Sequence, residues 1–299
     1  MGYCSVKKRA ITRGTNAGDD RSDEFLDRFL PGKSPSIVEA RRAILKLNES
    51  DNRVMVGAVL LTGEPGSGKT RYAKVLAGHR EWLRQRNSSE EVVHALRGGN
   101  LDLRQLTTKY VEQNVPGLPD TLLEVELFGS RKGAFTGATD REGLLGQGAT
   151  DVLLDEIGDA SPAVQAKLLN VIESRQYRPV GGNQDDVTDL NARLYFATNQ
   201  DLPAAVRDGD FREDLLWRIS QVHIKVPALR EQRENIPDIV TSIELELSRE
   251  IGGVDQTVNP GLKLSKDEVD WACQQSWPGN CRQLRHAVVR WRIEDGKVP

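Results

Sequence analysis

Three groups of residues in this chain could do chemistry together. Gly63, Glu64, Pro65, Gly66, Ser67, Gly68, Lys69 and Thr70 form a glycine-rich run closed by an ammonium and a hydroxyl. Glycines at that spacing let backbone N–H groups turn inward around phosphate oxygens. The lysine then reaches the β and γ phosphates, and the threonine hydroxyl can ligate magnesium. Asp155 and Glu156 end the run that starts Asp151, Val152, Leu153, Leu154. There the carboxylates can divide the work: Asp155 holds magnesium, directly or through water, and Glu156 orients and deprotonates an attacking water, a role typically worth about 10²–10⁴ in rate. Alone, such a pair would more often cap a helix; the phosphate run upstream reverses that reading. Asn199, just past an apolar run ending in Thr198, could bond the γ phosphate or the water, or simply sit in a turn.

The third group, Gly133, Ala134, Phe135, Thr136, Gly137 and Ala138, lies between the two halves of this nucleotide site. Hydrolysis alone does not need it. Glycines at each end suit a loop that must bend, and Phe135 and Thr136 offer an apolar and a hydrogen-bonding contact at its tip. The run therefore reads as the part that hydrolysis moves; the other possibility is an inert hairpin with Phe135 buried.

The elements that must hold these groups alternate. An apolar run over 56–62 ends in glycine and leads through the phosphate loop into a helix from Arg71, the strand, loop and helix order that a phosphate loop requires. Further strands are predicted over 109–112, 151–155, 192–198 and 222–226, with a helix over 162–174 between the third and fourth. Alternation of this kind implies an α/β fold, a five-stranded parallel sheet covered on both faces. After Pro227 the pattern changes to helices only, over 236–250, 266–275 and 281–292, which makes a small helical lid domain. The expected division is a poorly ordered arm over 1–33, an α/β nucleotide-binding domain over 34–231 that opens with a helix from Ser34, and the lid over 232–299. The charged stretch from His79 to Thr108 has no chemical role in this scheme and is expected as a tolerated surface insertion, or as a contact for a partner.

Composition narrows the class. With 299 residues, 38% hydrophobic and 28% charged, the chain can bury one large core and a satellite. Neither a membrane helix nor a signal-peptide pattern is present, so a cytoplasmic location is expected. Cys4, Cys273 and Cys281 have neither metal-ligand spacing nor the even count of a disulfide framework. A net charge of −3 gives no general attraction to nucleic acid, and the local basic cluster of Lys7, Lys8, Arg9 and Arg13 reads as a solvated tail.

Around the chemical groups run further motifs in fixed order. Gly133 to Ala138 follows Leu122 to Gly129, and after it come Leu153 to Gly158, Gln165 to Leu169, Val180 to Gly182, Ala197 to Asn199, Phe211 to Leu216, Pro227 to Arg230 and Trp277 to Asn280. On these motifs the chain resembles, over about residues 34–294, the central AAA+ ATPase module of sigma-54-dependent transcription activators, the bacterial enhancer-binding proteins. The resemblance implies a homo-oligomeric ring, expected as a hexamer, with ATP and Mg2+ at each subunit boundary. It implies that the Gly133 to Ala138 loop touches sigma-54, and that hydrolysis remodels the closed complex of the RNA polymerase holoenzyme into an open promoter complex. It casts Arg212 and Arg218 as arginine fingers for a neighbour's γ phosphate, where an arginine in trans can be worth about 10³–10⁵ in turnover. Arg282 becomes the lid arginine that senses nucleotide. Asn114 becomes the residue that pairs with Glu156 and holds it back until the ring is ready.

Outside that family, Arg212 and Arg218 would be solvated helix charges and Asn114 the cap of a turn. Six residues apart, the two arginines cannot share a helix face, so at least one should lie at a helix end. The chain departs from the family in carrying Thr70 where glutamate is usual, and Val115, Pro116 and Gly117 where Cys-Ala-Ala is usual. No helix-turn-helix follows the lid pattern, so either the sequence is truncated or DNA targeting and sensing belong to other segments or chains. Two other functions share most of these residues: a AAA+ remodeller of a different protein client, and a nucleotide-gated scaffold that does not hydrolyse. The scaffold has no use for Glu156.

Overall fold

Five strands pair side by side, all parallel, in a computed structural model that describes residues 17–49, 57–86, 95–96, 101–252 and 264–293. They are β1 (Ala58–Thr62), β2 (Tyr110–Asn114), β3 (Asp151–Asp155), β4 (Arg193–Thr198) and β5 (His223–Lys225), in the spatial order β2-β3-β4-β1-β5. The register sets Asn114 beside Asp155, Asp155 beside Ala197, and Thr62 beside Thr198. Four strands therefore finish at one carboxyl edge, where open α/β sheets bind their ligands.

Side chains of successive strand residues point to opposite faces, and on the three central strands, β3, β4 and β1, both faces are buried, which is why these read as apolar runs while the edge strands β2 and β5 do not. Val59, Leu61, Leu153, Tyr195 and Ala197 belong to one cluster. It is covered by α1 (Ala17–Phe29), α2 (Pro35–Glu49) and α3 (Lys69–Arg86), through Leu26, Ile44 and Leu76 among others. Leu60, Val152, Leu154, Leu194 and Phe196 belong to the second cluster. Its cover is α4 (Asp120–Phe128), α5 (Pro162–Ser174), α6 (Leu202–Asp208) and α7 (Glu213–Ile219), through Leu123, Leu168, Leu202 and Leu215. Local signals start these helices: the Ser161 hydroxyl accepts from the Val164 N–H at 3.3 Å and Pro162 holds the first helical position.

Beyond β5 come α8 (Ile236–Gly252), α9 (Lys266–Gln274) and α10 (Asn280–Ile293). They pack around their own core of Ile236, Val240, Trp277, Leu284, Val288 and Trp291. Trp271 meets Trp277 and Trp291 edge-on, at centroid distances of 6.0 and 5.3 Å, the geometry that ring quadrupoles favour. Among the described residues no helix is long and apolar enough to cross a membrane.

Two expectations differ from the structure. The arm expected over 1–33 carries α1 in its second half, with Phe25 and Leu26 0% exposed and the Phe25 ring 5.4 Å from that of Trp82. Its few apolar residues stand among aspartate and arginine, so the helix shows itself only against the surface it covers; residues 1–16, with Cys4 and the basic cluster, lie outside the described residues. The stretch expected as a surface insertion also takes part in the core. α3 runs on through buried His79 and Trp82, and Leu96, Leu101 and Leu106 join the same cluster, while 87–94 and 97–100 lie outside the described residues.

Candidate functional site

The end of β1 hands the chain to the phosphate loop, and Lys69 opens α3. Lys69 is 6% exposed, and its Nζ donates to the Gly63 carbonyl at 3.0 Å. The Thr70 hydroxyl donates to Asp155 Oδ2 at 3.4 Å, so the two groups expected to share magnesium already touch. Glu156 sits at φ 55°, ψ 50°, a left-handed conformation that costs a non-glycine residue about 1–3 kcal/mol and marks functional sites. From there its Oε2 accepts the Asn199 backbone N–H at 3.2 Å, and its Oε1 lies 3.8 Å from Lys69 Nζ. The strand ends thus bring Lys69, Thr70, Asp155, Glu156 and Asn199 to one place.

A cavity of about 400 Å³ opens over these groups. Pro65 to Thr70, Asp155 and Glu156 form one wall; Leu30, Pro31, Ile37, Ile239 and Ile243 line it with apolar surface; Cys281, Arg282 and Arg285 approach from the lid. Polar groups at one end and an apolar slot at the other suit a charged tail joined to a flat base. The buried Ser67 hydroxyl has no hydrogen-bond partner among the described residues, a cost that a phosphate oxygen would remove. Among the described residues no group of three or more His, Cys, Asp or Glu could hold a metal by itself. The Thr70 and Asp155 pair fits magnesium, which keeps water and phosphate oxygens as most of its ligands. Burial pushes the Cys281 thiol up to about 11, so it packs as a neutral group.

The lid rests directly on the phosphate loop. Arg230 grips Glu64 with two parallel hydrogen bonds of 2.7 and 2.5 Å, and Asn280 Nδ2 donates to the same carboxylate at 3.1 Å. These bonds, that of Arg230 foremost, hold the Glu64 carboxyl down to about 2. Asn280 is wholly buried: it also donates to the Pro65 carbonyl at 3.1 Å and accepts the Leu229 N–H at 2.8 Å. A Cβ built at Gly66, where φ is 74°, would lie 2.4 Å from the Gly279 carbonyl oxygen, so glycine is required there by contact as well as by conformation. Arg282 donates its backbone N–H to the Gly66 carbonyl at 3.3 Å, which sets its side chain at the cavity.

The expected fingers lie elsewhere. Arg212 caps the start of α7, forks onto Asp214 at 3.0 and 2.8 Å, and donates its backbone N–H to Gln165 at 2.8 Å. Arg218, in the last turn, reaches Glu173 at 3.2 Å. Their spacing requires at least one at a helix end, and the structure puts one at each end of a seven-residue helix; neither lines the cavity of its own chain. Asn114 is exposed, and its side chain makes no hydrogen bond to Glu156, whose carboxylate is engaged by Asn199 and Lys69. The register places Asn114 beside Asp155, and the chain turns away at once into the short 3-10 helix Val115–Gly117.

The Gly133 to Ala138 run tops a finger based on the antiparallel pair Gly129–Ser130 and Arg141–Glu142. Two turns shape the tip, with the Ala134 N–H on the Arg131 carbonyl at 3.1 Å and the Ala138 N–H on that of Phe135 at 3.0 Å. Phe135 is 47% exposed, so the buried alternative does not hold. The finger leans on a second hairpin, built on Gln176–Tyr177 and Thr188–Asp189. The N–H of Arg131 donates to the Val180 carbonyl at 3.0 Å and its Nε to Asp186 at 3.0 Å, while a Cβ at Gly181 would strike that of Ala134 at 2.4 Å.

Sequence reasoning missed the apolar wall, this second hairpin and the lid contacts of Glu64. Val180 to Gly182, Pro227 to Arg230 and Trp277 to Asn280 were visible only as family motifs; for Leu30 and Pro31 no local signal exists.

A parallel five-stranded sheet with a phosphate loop after β1, carboxylates after β3 and a helical lid on the loop defines the AAA+ class of P-loop folds. The chain belongs to the Sigma-54 interaction domain family, whose model matches residues 30–225. It is 36% identical over 276 residues to the transcriptional regulatory protein GlrR of Escherichia coli (strain K12), a match that covers 89% of this chain and 55% of that protein. It is 34% identical over 280 residues to the DNA-binding transcriptional regulator NtrC of Bradyrhizobium sp. (strain RP501 Parasponia), covering 93% and 50%. The crystal structure of NtrX from Brucella abortus in complex with ATP superposes with a TM-score of 0.64 at 26% identity, over 90% of this chain and 53% of that one. The chain spans about half the length of these relatives.

Proposed function

We propose that this chain hydrolyses ATP in a homo-oligomeric ring, a hexamer, and uses the energy to remodel sigma-54 RNA polymerase closed complexes into open promoter complexes in the cytoplasm. The observation that carries this is the presence, in one chain, of a complete hydrolytic set and a braced finger with an exposed aromatic tip. The family and the ATP named for the NtrX structure support it.

In this reading Lys69 and the loop N–H groups bind the phosphates, the apolar wall takes the base, and Arg282 reads the nucleotide from the lid. Thr70 and Asp155 would hold magnesium, which would supply charge neutralisation on the phosphates. Glu156 takes the proton of the attacking water, and the Asn199 N–H orients its carboxylate. Asn114, at the end of β2, engages Glu156 to hold it back until the ring is ready. Arg212 and Arg218 serve the neighbour, which makes turnover depend on assembly. Promoter or enhancer DNA is reached through other segments or chains.

Phosphate release tests the enzyme: Glu156→Ala should lower it by about 10²–10⁴ while nucleotide binding persists, and equal rates remove the catalytic role. Capture of sigma-54 with an ATP transition-state mimic tests the client. The wild type should retain sigma-54 and Phe135→Ala should not; turnover without capture would assign the module to another client.

A further inference from the structure

Arg71 stands one residue past Thr70, in the first turn of α3, where the helix dipole disfavours a cation unless partners elsewhere hold it. Its partners lie on two other elements. Nε donates to the Phe29 carbonyl at 3.1 Å, Nη2 donates to the Ser242 hydroxyl at 3.1 Å, and Nη1 pairs with the Glu246 carboxylate. Phe29 is the last residue of α1, where a helix carbonyl lacks an internal donor and a guanidinium is favoured. Ser242 and Glu246, four residues apart, share one face of lid helix α8.

The residues after Phe29 belong to the cavity. Leu30 and Pro31 line it, and the Leu30 carbonyl accepts from Arg41 Nε at 2.9 Å. A little further on, the N–H groups of Lys33 and Ser34 donate to Asn235 Oδ1 at 2.7 and 3.1 Å, and Asn235 is wholly buried at the foot of α8. The strap from Phe29 to Ser34 is thus held by α3 at one end and by the lid at the other.

A guanidinium is a rigid planar fork. It can serve the Phe29 carbonyl and the Ser242 and Glu246 pair together only in a narrow range of α8 placements relative to α1. A ligand in the cavity touches the phosphate loop, the strap and α8 at once, so its effect on the lid reaches the end of α1 through this side chain. We propose that Arg71 is a positioning residue that couples the lid to the N-terminal helix α1, so that nucleotide in the cavity and the seating of α1 bias each other. The coupling rests on the nucleotide reading of the cavity. By linkage it is reciprocal: a pull on α1 from the residues before it changes nucleotide affinity by the same factor that nucleotide changes the seating of α1.

Hydrogen exchange over residues 22–29 of α1, none of which lines the cavity, with ADP as the probe on the full chain, tests it. ADP should slow exchange there about tenfold in the wild type. In Arg71→Met the slowing should largely vanish, with ADP still bound about five- to tenfold more weakly. Glu246→Gln, which leaves α1 and its contacts in place, should weaken the same response, and Arg71→Lys, with charge but no fork, should restore only part of it. Full slowing in both Arg71→Met and Glu246→Gln, or none in a wild type saturated with ADP, overturns the coupling. A wild type that binds no ADP overturns the nucleotide reading itself, and the coupling falls with it.

Discussion

Glu64 is the residue on which the phosphate loop and the lid depend jointly. Its carboxylate takes hydrogen bonds from Arg230 and Asn280 and is held well below the ordinary 4.5, at about 2. A depressed carboxyl contributes stability that is complete above about 4.5 and is lost as pH falls through about 2. Glu64→Gln should therefore melt below the wild type at neutral pH, with the gap narrowing as pH descends through that window. A gap independent of pH would mean that the charge of Glu64 is idle. Glu156 is the contrasting case, a residue whose left-handed backbone is unfavourable by itself and is justified by where its carboxylate arrives.

Among the elements, the finger and its brace form one unit. Arg131 ties the finger to Val180 and Asp186, so displacement of either hairpin must be felt by the other, while Phe135 and Thr136 remain free at the tip. Thr136→Ala removes one hydroxyl far along the finger from its base and touches no member of the hydrolytic set. It should keep phosphate release within about twofold, as surface changes away from special features do, and abolish promoter opening in a transcription assay. Loss of both together would count against a contact role. Helix α7 makes a similar argument in miniature: six residues apart, Arg212 and Arg218 cannot share one of its faces, yet its ends carry both to the surface.

At the scale of the whole molecule, Arg212 and Arg218 do not meet the cavity within one chain. Arg218→Ala should lower turnover by about 10³ or more, and Glu156→Ala alone by about 10²–10⁴. Mixing the two inactive proteins should then recover phosphate release, because a ring can join an intact Glu156 to a neighbour's intact Arg218. No recovery on mixing would remove the role in trans. The extent to which all this could be foreseen differs by residue. The phosphate loop, Asp155 and Glu156, the three central strands and the three lid helices were legible in the sequence, since each is encoded by its own spacing: glycines for a turn around phosphate, apolar runs for buried strands, helical periodicity for amphipathic faces. The helix Ala17–Phe29, the packed course of α3 through Trp82, the base wall of Leu30 and Pro31, the grip of Arg230 and Asn280 on Glu64 and the three-way contact of Arg71 were decided by the tertiary structure alone. Those contacts join residues up to 216 positions apart, and no local pattern records which distant surface a side chain will meet once the sheet has brought it there.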